Sequence, residues 1–300
     1  MPISLTFPAT DSWTFSLPPL TRWAPLLRWI DRHEHMVYRV QDGEVSLWLP
    51  AEVGEGWLAV QPLDETRLVL RIHHRGSLAR AQVEAFLADW WDLDRDLAPF
   101  YAAYQDDPLL GPSLRANRGA RIVGFPDLFE ALVIGILGQQ VNVAFAYRLK
   151  QRLTEAAGQA GEWQDEIWWR FPRPQDLLGL SVAQLREMQI SQRKAEYLLG
   201  VAEAMAAGHF TKASLQAMPW TDQMTTLTAL RGIGPWTAQY VALKCLHSPR
   251  AFPAGDAGLQ NAVKRILHMD RKPTIDELQA LAQPWQGWEA YATWFLWMSE

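Results

Sequence analysis

At 300 residues and 49% hydrophobic composition, the chain is long enough to bury a substantial core as one large or two smaller domains. Its single cysteine, Cys245, excludes a disulfide framework and any four-thiolate zinc or iron–sulfur site. The net charge of -5 excludes a nonspecific polycation, although backbone N–H groups at helix N-termini can hold phosphate without changing that charge.

The first part reads as short, partly alternating runs rich in β-branched and aromatic residues: Ile3–Phe7, Trp13–Leu17, Met36–Val40, Val45–Leu49, Leu58–Gln61 and Arg67–Ile72. These runs predict an antiparallel sheet. Asp42-Gly43 is a tight-turn signal that makes Met36–Leu49 one hairpin. Apolar spacings of three and four predict helices at Leu20–Asp31 and Leu78–Trp91, covering one sheet face.

From about Asp92 helical periodicity dominates, with helices predicted at Asp94–Tyr104, Asp127–Gln139, Val143–Ala157, Val182–Met188 and Arg193–Ala207. Others are predicted at Asp222–Leu230, Pro235–Leu246, Leu259–Leu267, Ile275–Ala282 and Trp288–Met298. The fold class is therefore α+β, with a sheet domain over 1–110 and a mainly helical domain over 111–300. Pro108, Gly111 and Pro112 punctuate the boundary.

No apolar run reaches about 18 residues, and Met1–Phe15 has no basic stretch followed by an apolar one. The expectation is a cytoplasmic protein with neither membrane span nor export signal. The histidines of His33-Glu34-His35 and His73-His74 lack a third ligand at a recognisable spacing, so no side-chain metal site is expected.

The most informative segment is Leu230-Arg231-Gly232-Ile233-Gly234-Pro235-Trp236-Thr237-Ala238, a two-glycine turn between helical patterns. Glycine permits unusual backbone angles and close approach to a phosphate, and Pro235 suits the first position of a helix whose free N–H groups can receive an anion. The same residues also serve as an ordinary helix connection, with Gly232 ending one helix and Pro235 starting the next.

LRGIGPWTAQYVAL followed by FPAGDAGLQNAVKR resembles the helix-hairpin-helix DNA glycosylase superfamily, and within it the bacterial 3-methyladenine DNA glycosylase II group. FPDLFEALVIGILGQQVNVAFAYRLKQRL, FPRPQDLLGL, SQRKAEYLLGVAEAMAAG and WEAYATWFLW extend the resemblance over most of residues 120–300. The N-terminal sheet with two helices matches the group's extra domain in type.

The resemblance implies a monofunctional glycosylase that flips alkylated bases, of the 3-methyladenine and 7-methylguanine type, out of duplex DNA and hydrolyses the N-glycosidic bond. It implies Asp256 as catalytic carboxylate, although an aspartate opening a helix is also a plain N-cap. Trp236, Tyr240 and Trp297 match base-pocket aromatics, and the first two, four apart, share a helical face. Gly232, Ile233, Gly234, Thr237, Gln139 and Gln140 match DNA-contacting positions, Gln140 standing where relatives insert a leucine wedge.

Bifunctional relatives carry a Schiff-base lysine where this chain has Trp236. No cofactor is implied beyond a candidate monovalent cation at the backbone of Gly232 and Gly234. The implied partner is duplex DNA containing damaged bases, met by a monomer. Two alternatives stand beside this reading: a noncatalytic helix-hairpin-helix DNA-binding protein, and a glycosylase of the same fold for oxidised or deaminated bases.

Overall fold

A computed structural model describes residues 2–33 and 35–299. The chain opens with β1 (Ile3–Ser4), β2 (Ala9–Ser16), α1 (Trp23–Ile30), β3 (Arg39–Gln41), β4 (Glu44–Trp48), β5 (Gly56–Pro62), β6 (Arg67–His74) and α2 (Arg80–Trp90). Five strands form an antiparallel sheet in the order β2-β6-β5-β4-β3. Asp42 and Gly43 between β3 and β4 both have positive φ, 51° and 83°, as a two-residue turn matched to strand twist requires.

Alternation along the strands gives the sheet two apolar faces. Val45, Leu47, Leu58 and Val60 pack with Leu26 and Ile30 of α1 and Val83 and Leu87 of α2. Trp48, Trp57 and Ala59 face the other way and meet Leu5, Phe7 and Trp168. The expected strand Ile3–Phe7 does not join the antiparallel sheet; its regular part, β1, runs parallel to a strand near residue 160.

The remainder comprises α3 (Ala98–Tyr104), α4 (Gly111–Ala116), α5 (Leu128–Leu137), α6 (Val143–Ala157), β7 (Gln159–Trp163), β8 (Glu166–Arg170), α7 (Pro174–Leu177) and α8 (Val182–Glu187). Then follow α9 (Gln192–Ala206), α10 (Lys212–Gln216), α11 (Trp220–Thr228), α12 (Pro235–Lys244), α13 (Ala257–Ile266), α14 (Ile275–Leu281) and α15 (Glu289–Trp297). The β7–β8 hairpin, with β1, forms a second sheet inside the region read as helical.

Two large cores organise these elements. One unites the five-stranded sheet, α1 and α2 with apolar residues from α13, α14 and α15. The other gathers residues 125–246, from α5 through α12. Helix α5 is buried on every side, and Gly135 lets it approach α12 closely: a Cβ there would stand 2.8 Å from Thr237 Cγ2. At the far end of α12, Phe125 N–H donates to the Lys244 carbonyl at 2.7 Å, tying the helix to the segment that leads into α5.

Candidate active site

Asp256 is the N-cap of α13, and its Oδ1 accepts from the Leu259 backbone N–H at 2.8 Å. The cap geometry directs the carboxylate at two indoles. Trp297 Nε1 of α15 donates to Oδ1 at 2.9 Å, and Trp236 Nε1 of α12 donates to Oδ2 at 3.3 Å. A plain cap needs only the backbone bond. Asp256 remains partly exposed, while Trp297 is nearly buried, so the carboxylate is fixed in place yet accessible.

Tyr240 lies one turn below Trp236 and stacks on it, with ring centroids 5.5 Å apart and planes 24° from parallel. Burial pushes the Tyr240 phenol well above its ordinary pKa, and the neighbouring Tyr147 phenol and the Asp256 and Glu130 carboxylates add to that effect. Tyr240 therefore stays a neutral hydrogen-bond donor beside Asp256.

Helices α11 and α12 flank the hairpin turn. Gly232 has φ 92°, and a Cβ there would fall 2.2 Å from Tyr197 Cγ, so both conformation and space demand glycine. Gly234 is exposed and is the N-cap of α12 without a side-chain cap, leaving the first amides of the helix open to an anion. Ile233 and Thr237 are buried, so their contribution on the outer surface comes from backbone.

Gln139 locks the end of α5 onto this turn, its Nε2 donating to the Gly232 carbonyl at 2.8 Å and to Thr237 Oγ1 at 3.0 Å. Lys194 of α9 completes the joint by donating to the carbonyls of Leu137 and Gln139 at 2.7 and 2.8 Å. Gln140, exposed and at φ 56°, stands at the tip of this corner beside the hairpin.

A cavity of about 630 Å³ lies between the sheet and the second core, lined in part by Trp29, His33, Asp127, Tyr147 and Lys244. Asp256, Trp236 and Trp297 do not line it; Lys244, two turns from Trp236 on the same face of α12, does. Burial, with Arg32 nearby, lowers the Lys244 ammonium to about 7. Asp127 opens onto the cavity, and the protein around it, then Glu130, raises its carboxyl toward about 7 against the pull of the Glu130 N–H bond.

The histidine clusters are otherwise engaged. His33 lies tilted against Tyr147 with ring centroids 4.6 Å apart, His73 Nδ1 pairs with Thr10 Oγ1, and His74 lies between Gly76 O and Asp11. Glu34 lies outside the described residues, among which no three metal-ligating side chains gather.

The model of the HhH-GPD superfamily base excision DNA repair protein family matches residues 133–287, which hold the hairpin and Asp256. The chain belongs to the HhH-GPD superfamily. A DNA-3-methyladenine glycosylase of Bacillus subtilis (strain 168) is 43% identical over 218 residues, covering 73% of this chain and 72% of the relative. DNA-3-methyladenine glycosylase 2 of Escherichia coli (strain K12) is 29% identical over 198 residues, 64% of each chain. Among solved structures, a 3-methyladenine DNA-glycosylase from Archaeoglobus fulgidus shares the fold with a TM-score of 0.79 at 22% identity, over 95% of this chain and 97% of that one.

In this HhH-GPD member the residues singled out from sequence form two groups. Trp236 and Trp297 converge on the Asp256 carboxylate, with Tyr240 stacked on Trp236; Gly232, Ile233, Gly234, Thr237, Gln139 and Gln140 gather at the hairpin. Lys244, Tyr147, Trp29 and Lys194 are absent from the sequence reading. For Lys244 a signal existed: the face that joins Trp236 to Tyr240 reaches Lys244 one turn on.

Proposed function

We propose that this protein is a monofunctional DNA glycosylase that releases alkylated purines from duplex DNA, with Asp256 as the catalytic carboxylate. The observation that carries this reading is the pair of indole N–H groups on a partly exposed helix-capping aspartate, which exceeds what capping requires. The names of the Bacillus subtilis and Escherichia coli relatives support the substrate class.

Departure of a base leaves positive charge on the deoxyribose, an oxocarbenium-like state that a fixed carboxylate stabilises. The three hydrogen bonds hold Asp256 oriented before the charge develops, so little reorganisation accompanies the step. A base methylated at a ring nitrogen is already cationic and leaves without a dedicated general acid. Trp236, Tyr240 and Trp297 offer such a base aromatic faces once it has left the stack. The exposed amides at Gly234 and the start of α12 hold a backbone phosphate.

Hydrolysis by water, rather than attack by an amine, follows from the tryptophan at position 236. The test is release of 3-methyladenine and 7-methylguanine from methylated duplex DNA, with borohydride trapping in parallel. Base release without a trapped protein–DNA adduct is expected. No release would overturn the activity, and a trapped adduct would overturn the monofunctional assignment.

A further inference from the structure

Helix α5 does not close on a left-handed glycine. Gly138, its C-cap, keeps right-handed angles, and the left-handed position falls on Gln140, at φ 56°. A non-glycine residue is strained there and stays only where its surroundings fix it. Lys194 supplies that hold: its ammonium donates to the carbonyls of Leu137 and Gln139 at 2.7 and 2.8 Å, and the second carbonyl belongs to the peptide plane that carries the Gln140 N–H. Fixing that plane fixes the direction in which Gln140 leaves the corner.

The placement serves α5 rather than the lysine's own helix. Lys194 stands in the first turn of α9, three residues after the cap Ser191, where a cation opposes the helix dipole. Its charge is favoured instead at the C-terminus of α5. Burial lowers the ammonium from the ordinary lysine value, so the contact is made at a cost in hydration. The two glutamines of the corner then part. Gln139 gives both amide hydrogens to the hairpin, at Gly232 O and Thr237 Oγ1, while Gln140 is exposed. Tyr197, one turn after Lys194, fills the space beside Gly232, so one face of α9 supports both the hairpin turn and the Gln140 tip.

We propose that Lys194 is a positioning residue for base extrusion: by fixing the Gln139–Gln140 peptide it keeps Gln140 projecting toward the duplex, set to occupy the space a displaced base leaves. The proposal rests on the glycosylase reading given above and concerns the step before bond cleavage. Extrusion costs unpairing and unstacking, and the cost is smaller for a base without a partner. A tip that is already set offsets that cost without having to be ordered first. The hairpin amides meet phosphate independently of Lys194, so extrusion and duplex binding separate.

The test is single-turnover release of 7-methylguanine from duplexes that place it opposite cytosine or opposite an abasic tetrahydrofuran. The unmodified protein is compared with Lys194→Met, Lys194→Arg, Gln140→Ala and the double variant Lys194→Met/Gln140→Ala, with melting and duplex-binding titrations on each. Lys194→Met is expected to lower release of the paired lesion relative to the unpaired one by about tenfold, the scale of losing a hydrogen bond to a charged group. Lys194→Arg, whose guanidinium can serve both carbonyls, should regain most of that ratio. The double variant should match Gln140→Ala within about threefold, because the lysine acts through the glutamine. An equal fall on both duplexes, no fall on either, or independent losses in the double variant would overturn the role of Lys194. So would a Gln140→Ala protein that keeps the full paired-to-unpaired ratio, whatever the stability of Lys194→Met. Release from neither duplex by the unmodified protein would overturn the glycosylase reading, and this role with it.

Discussion

Two aspartates begin helices in this protein with the same local geometry and opposite surroundings. Asp127 caps α5 through Oδ1 and the Glu130 N–H at 2.6 Å; Asp256 caps α13 through Oδ1 and the Leu259 N–H at 2.8 Å. Asp127 has Glu130 as its neighbour, and its carboxyl rises toward about 7. Asp256 has two indole donors instead. The cap explains why an aspartate stands at each position; the second also accepts two side-chain hydrogen bonds that capping does not require.

Removing each carboxylate while keeping its cap separates the two, because asparagine caps as well as aspartate. Asp256→Asn is expected to lower base release roughly 10²–10³-fold, the scale of losing one preorganised electrostatic group, with duplex binding and melting temperature nearly unchanged. Single-turnover kinetics and a binding titration on the same preparation check this. Unchanged release would return Asp256 to the status of Asp127.

Trp297→Phe keeps a ring and deletes one donor to the carboxylate. A fall of about tenfold in single-turnover rate is expected, matching the loss of a hydrogen bond to a charged group. A change confined to substrate affinity would assign the indole to packing of the base instead.

Asp127→Asn should leave base release intact and change stability with pH. The folded-state pKa of Asp127 lies above its ordinary value of 3.8, so its penalty is absent below that pH, grows as pH rises, and is complete above about 7. The variant should therefore gain on the unmodified protein between pH 4 and pH 7, by about 1 kcal/mol once exposure to the open cavity is discounted. Thermal melts across that range measure the gap; a constant gap would contradict the assignment. The smallest effect is expected for Gln139→Ala, which frees the hairpin from α5 and should weaken duplex affinity about threefold, near 0.7 kcal/mol.

Most of the fold was legible because local chemistry and tertiary packing agree. Asp42-Gly43 names its own turn, and Gly232-Ile233-Gly234-Pro235 shows where one helix stops and the next begins. The β7–β8 hairpin was not legible, because Gln164 and Asp165 take left-handed angles without a glycine to announce them. The partner of β1 was hidden for another reason: Ile3 pairs with Gly161, and parallel pairing at that separation leaves no local pattern.

The site divides along the same line. Asp256 and its three aromatics stand in short motifs, so their convergence could be expected from the resemblance. Lys244 reads in sequence as an ordinary basic residue at a helix C-terminus, where a cation complements the helix dipole. Only the packing of Trp29 from α1 and Trp294 from α15 shows it buried beside a cavity.

The central claim is that Asp256 stabilises positive charge at the sugar, and the most direct measurement is affinity for a duplex carrying a cationic pyrrolidine in place of the deoxyribose, against one carrying neutral tetrahydrofuran. The unmodified protein and Asp127→Asn should prefer the cation by tenfold or more, and Asp256→Asn should bind both duplexes alike. Retention of the full preference by Asp256→Asn would contradict the claim and move the charge-stabilising group elsewhere in the site.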